Sequence, residues 1–217
     1  MEPPIDRLLK QVLLPLDALK WDRFRPEIKH FLTRTDKPDH TLADEFNLMS
    51  SLGGMLNLKE RHISMFINLV LVALNQRRAY LTDFSLEETL LYMDLFREFM
   101  PLFYLLISSQ TKIHALNDVA LFTVQDSKSI QIPKDRRDHI GLGTLLGYEC
   151  ARDIEKDLPT HVFDVSVSGV SIYSFGCAGE PQPDLVKSFL ARSDRYQTAL
   201  RSVGLPVTVK CSVTPNH

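Results

Sequence analysis

Up to about residue 115 the apolar residues of this chain recur every three to four positions, and beyond it they fall into short runs that alternate with polar ones. The first spacing belongs to amphipathic helices and the second to half-buried strands. Leu8, Leu9, Val12 and Leu13 form the earliest stripe, before Pro15, and Trp21, Phe24, Ile28, Phe31 and Leu32 continue it across Pro26. Thr33 to Thr41 is polar and contains Pro38, which predicts an exposed loop. Leu42, Phe46, Met49 and Leu52 then follow with Asp44 and Glu45 in the first turn, predicting a helix that Gly53 and Gly54 end. Residues 58–77 are apolar nearly all round, the mark of a helix buried on several sides. Past a turn at Thr82 and Asp83, Ser85 and Glu88 form a capping-box pattern. The helix they open carries Leu86, Leu90, Met93 and Met100, and Pro101 is expected to kink or break it.

After Asn117 the period changes. Val119 to Val124 and Ser129 to Ile132 flank a polar turn and predict a hairpin. Leu142, Leu146, Cys150, Ile154 and Leu158 step along one face of a helix expected over 137–157, closed by Pro159. Phe163, Val165 and Val167 alternate with polar residues as a strand, and Gly169 makes either a hairpin turn or a bulge. Pro183 opens a helix striped by Leu185, Phe189, Tyr196, Leu200 and Val203 and ended by Gly204, before a last alternating strand from Val207 to Val213. The class this predicts is α+β. A helical N-terminal part (1–115) packs against an α+β part (116–217), a small antiparallel or mixed sheet with two helices, and the two parts could form one continuous domain.

Composition narrows the function classes. With 44% hydrophobic and 24% charged residues the chain is ordinary for a folded protein, and its net charge of −2 lacks the positive excess that phosphate backbones attract, which argues against nucleic acid as a partner. Cys150, Cys177 and Cys211 are widely separated, so neither a disulfide framework nor a structural zinc site is expected. Cys150 and Cys211 sit on apolar phases and should be buried, whereas Cys177 falls in a breaker-rich loop and should be the more exposed thiol. The longest apolar run, Ile63 to Leu74, is interrupted by Ser64 and Asn68 and falls short of the roughly 20 residues a membrane span needs. No signal-peptide pattern opens the chain, and the setting expected is intracellular, cytoplasmic or nuclear.

No candidate chemistry is specific. Gly141, Gly143 and Gly147 miss the spacing and strand context of a dinucleotide fingerprint, and no Lys-Ser or Lys-Thr follows as in a Walker loop. Gly143 and Gly147 are instead expected to share a helical face that lets another element pack closely. Arg136 and Arg137 precede a helix start, where backbone N–H groups and guanidinium charge together suit an anion, although Asp135 and Asp138 offset that charge. Arg77 and Arg78 complement a helix C-terminus and call for no function. No two histidines have zincin spacing, so no metal is expected, and no cofactor motif is present. The reading is a non-enzymatic protein–protein interaction or assembly subunit, oligomeric or part of a complex. Phe96, Phe99, Met100 and Phe103 supply its interface, with Gly143 and Gly147. The alternative is a small anion- or phosphate-binding protein, or an enzyme, using the Arg136/Arg137 helix start or Cys177.

Overall fold

The computed structural model describes residues 39–55, 57–125, 130–135, 137–148 and 160–215. Their elements run α1 (Leu42–Met55), α2 (Lys59–Ala73), β1 (Ala79–Ser85), α3 (Leu86–Phe99), α4 (Pro101–Gln110), β2 (Thr111–Leu116) and β3 (Val119–Val124). They continue through α5 (His139–Leu146), β4 (His161–Val167), β5 (Val170–Cys177), α6 (Pro183–Leu190), α7 (Arg192–Ser202) and β6 (Val209–Pro215). The class is α+β. Two antiparallel sheets form, ordered β1-β3-β2 and β5-β4-β6. No described helix is long and apolar enough to cross a membrane.

Helix α2 lies at the centre because it is apolar on every side: all residues from His62 to Ala73 are buried. It contacts α1, α4, α7, both β1 and β3 of the first sheet, and β5 of the second. Its polar residues are therefore obliged to find partners inside the protein. The β4–β5 register slips between Val165 and Ser166, which pair with Tyr173 and Ser171 and leave Ile172 bulged. The Ser64 hydroxyl donates to the Ile172 carbonyl at 3.1 Å and the Asn68 amide donates to it at 2.8 Å. The bulged edge strand of the second sheet is thus held by a polar pair one helical turn apart on α2.

Several elements depart from the pattern reading. β1 and nearly all of β2 lie within the stretch read as helical. Thr82 was expected in a turn, yet it is buried in β1 with its hydroxyl donating to the Phe84 carbonyl at 2.9 Å, so its polarity is satisfied locally. β3 pairs with β2 and not with Ile130 to Ile132, which are irregular, and Ser129 lies outside the described residues; Asn117, at a φ of 55°, turns the hairpin. α1 continues through Gly53 and Gly54, α5 stops at Leu146, and the helix expected from Pro183 to Val203 breaks at Ala191 into α6 and α7. Gly169 forms a hairpin with Ser168, both at positive φ. The Ser85–Glu88 capping box is present, and Pro101 occupies the first turn of α4, so the chain breaks there. The stripes before residue 39, and the part of the predicted 137–157 helix from residue 149 on, Cys150 included, lie outside the described residues.

Candidate functional site

Two helix ends deliver side chains to one place. After α2, the Asn75 N–H donates to the Val72 carbonyl at 2.9 Å and the Gln76 N–H to Leu71 at 2.8 Å, with Asn75 at a φ of 55°. After α5, the Gly147 N–H donates to Thr144 at 3.2 Å and the Tyr148 N–H to Gly143 at 2.7 Å, with Gly147 at a φ of 84°. Both are Schellman turns, which need a residue that tolerates the left-handed conformation. Arg77 and Arg78 follow the first turn and Tyr148 follows the second, and all three line one cleft with α7. Arg192, Arg195 and Tyr196 face them from α7 at the three- and four-residue spacing of one helical face. Together these groups wall a cleft of about 600 Å³.

Arg77 is the unusual member. It is 5% exposed, and its guanidinium donates to Asn68 Oδ1 and, at 3.4 Å, to the Leu146 carbonyl. The guanidinium carbon lies 4.2 Å from the centroid of the Tyr173 ring. Among the described residues no carboxylate pairs with it. Neutral oxygens and a ring face offset part of the cost of burying a charge, and a counter-anion would offset more. Arg192 is also buried; it donates to the Tyr173 hydroxyl at 3.1 Å, and burial lowers its pKa. Arg78 and Arg195 are exposed at the mouth.

A second cleft, about 370 Å³, adjoins the first and shares Arg77, Leu146 and Tyr148 with it. It lies between the edge strands β1 and β5, over the start of α2. Tyr80 lines it, and its buried hydroxyl has no hydrogen-bond partner among the described residues. The Ser64 hydroxyl lies near it and acts to lower the Tyr80 pKa, while Ser64 itself donates to the Ile172 carbonyl and accepts from the Asn68 amide. Burial, and after it the Asp83 carboxylate, raise the Tyr80 pKa. Asp83 is exposed on the same wall, and no described side chain donates to its carboxylate.

The residues singled out from sequence lie elsewhere. Arg137 is exposed, and the helix start beside it is filled by Asp138, whose Oδ1 accepts the Gly141 N–H at 2.8 Å, so the position offered to an anion already holds a carboxylate. Arg136 lies outside the described residues. Cys177 is the last residue of β5 and only 3% exposed, while Cys211 is half-buried, the reverse of the expected order; both thiols are free. Phe96, Met100 and Phe103 are at most 1% exposed, since Phe103 stacks on Phe66 at 4.0 Å and meets Phe96 edge-on at 4.9 Å. They are core and present no face to a partner; Phe99 is half-buried and packs against them. Gly143 is buried, but Gly147 serves the Schellman turn, and a Cβ there would meet nothing within 4 Å, so close packing does not explain it. Among the described residues no group of three His, Cys, Asp or Glu side chains could hold a metal ion.

The arginine cleft escaped the sequence reading because its members come from segments more than a hundred residues apart. One signal was available: Ser64 and Asn68, a polar pair at four-residue spacing in the otherwise apolar run from Ile63 to Leu74, bond to the β5 edge and, through Asn68, to Arg77. No protein-family model matches the chain, and no curated protein or solved structure shows significant similarity to it.

Proposed function

We propose that this protein binds a phosphate-bearing ligand in the cleft of Arg77, Arg78 and Arg195. The observation that carries the reading is the Arg77 guanidinium, buried without a carboxylate among the described residues and opening on a basic cleft. Guanidinium groups present paired N–H donors in a fixed plane that matches the oxygens of a phosphoryl group, and several of them around one cavity favour a dianion over a single carboxylate. Isothermal titration with inorganic phosphate at constant ionic strength tests this. Binding should disappear in an Arg78→Gln/Arg195→Gln variant, and saturating phosphate at about 100 times its Kd should stabilise the fold by about 2.7 kcal/mol. Equal thermal midpoints in phosphate and in chloride of matched ionic strength would refute it.

Assembly with another protein is the second reading, supported by Leu90 on α3 and Leu102 and Leu105 on α4, which are 50%, 40% and 66% exposed. On this reading the contact uses side chains other than the buried phenylalanines. Light scattering on the wild type and on Leu105→Lys tests its self-assembly form: an oligomer that Leu105→Lys dissociates supports it, and a monomeric wild type removes self-assembly.

A further inference from the structure

We infer that the ligand is a phosphorylated polyol, a sugar phosphate in chemical class, with its phosphate among the arginines and its hydroxyls in the adjoining cleft of Tyr80 and Asp83. The inference rests on the anion-binding reading and adds what the second cleft requires of the rest of the molecule. The two clefts share Arg77, Leu146 and Tyr148, so one small molecule can occupy both. Tyr80 lines the inner one, and its buried hydroxyl, both donor and acceptor, has no hydrogen-bond partner among the described residues. It also offers an acceptor in the Asp83 carboxylate, and Glu60 adds a second carboxylate on the same lining. A bare phosphate would be repelled by these carboxylates and would leave Tyr80 unpaired at a cost. An apolar group would leave it unpaired as well. A hydroxyl satisfies both kinds of partner, because it donates to Asp83 and accepts from Tyr80. Tyr148, half-buried on the same lining, adds ring surface against which the C–H face of a sugar can rest.

The test compares inorganic phosphate, ribose, ribose 5-phosphate and glucose 6-phosphate by isothermal titration. At least one sugar phosphate should bind about tenfold or more tightly than inorganic phosphate, the gain expected of one or two added hydrogen bonds. Tyr80→Phe and Asp83→Asn should each reduce that gain and leave inorganic phosphate affinity unchanged. Because the Tyr80 hydroxyl has no hydrogen-bond partner among the described residues, Tyr80→Phe should not lower the thermal midpoint, which separates a ligand-binding role from a structural one. Sugar phosphates that bind no better than inorganic phosphate overturn the inference and leave the anion-binding reading standing. If neither binds, that reading falls and the inference falls with it. Ribose binding as tightly as its phosphate would also overturn the inference.

Discussion

His62 shows how burial sets the chemistry of one residue. Its Nδ1 lies 2.8 Å from the Leu58 carbonyl, which can only accept, so Nδ1 carries the proton; Nε2 then accepts from the Tyr92 hydroxyl at 2.7 Å. Burial, reinforced by the nearby Arg61 charge, pushes its pKa down from 6.5 to about 4. The unfolded chain takes up this proton more readily than the native one, so His62 contributes stability in full above pH 6.5 and loses it as pH falls toward 4. The integrated loss is about 3 kcal/mol. Glu45 acts in the opposite sense: burial raises its pKa, and its protonation as pH falls favours the native state. A His62→Gln variant isolates the first effect. Its unfolding free energy, measured by denaturant titration from pH 4 to pH 7, should fall less steeply on the acid side than that of the wild type. Parallel profiles would remove His62 as a source of acid lability.

At the scale of elements, what the pattern predicted and what it missed divide by whether the cause is local. The Ser85–Glu88 box, the break at Pro101 and the Pro183 helix start depend on residues within one turn of each other, and all are present. Contacts between elements were less legible. Glu45 was read as an ordinary acidic residue near its own helix N-terminus. It is instead fully buried and caps another helix, its carboxylate accepting the Leu102 N–H at 3.0 Å and the Phe103 N–H at 2.6 Å at the start of α4. Its phase gave a hint, since it shares a helical face with Met49. A close-packing glycine that the pattern does not single out is Gly53: a Cβ there would sit 2.8 Å from the Lys59 Cα and 3.0 Å from the His62 Cβ, where α1 meets α2. Helix propensity alone would have Gly53→Ala stabilise α1 by about 1 kcal/mol. The backbone contact reverses that sign, and the variant should be destabilised by about 1–3 kcal/mol. A raised thermal midpoint for Gly53→Ala would show that α1 and α2 do not approach as closely as described.

For the whole molecule, the change of period near residue 115 does not divide the core. The main hydrophobic cluster runs from Leu42 in α1 through Phe122 in β3 to Val209 in β6, with α2 touching both sheets. Such continuity predicts one cooperative unfolding unit. Its most sensitive joint is Asn68, whose amide donates to the Ser64 hydroxyl at 3.1 Å and to the Ile172 carbonyl at 2.8 Å while its oxygen accepts from Arg77. Asn68→Leu keeps a similar volume but removes an acceptor from a buried guanidinium and a donor from the bulged strand edge. Losing partners for a buried charge and a buried carbonyl should cost about 3 kcal/mol. Since the same residue steadies Arg77, phosphate affinity should fall in the variant as well. The decisive measurement is the denaturant transition of wild type and Asn68→Leu followed by far-ultraviolet circular dichroism and by tyrosine near-ultraviolet circular dichroism. Coincident transitions, with the variant's midpoint lowered and its slope unchanged, are expected, because α2 cannot release β5 without exposing the core it shares with the first sheet. If β5 and its neighbours melt in a separate earlier step while the helical signal persists, the two parts are independent folding units and the joint at Asn68 links them without making them one.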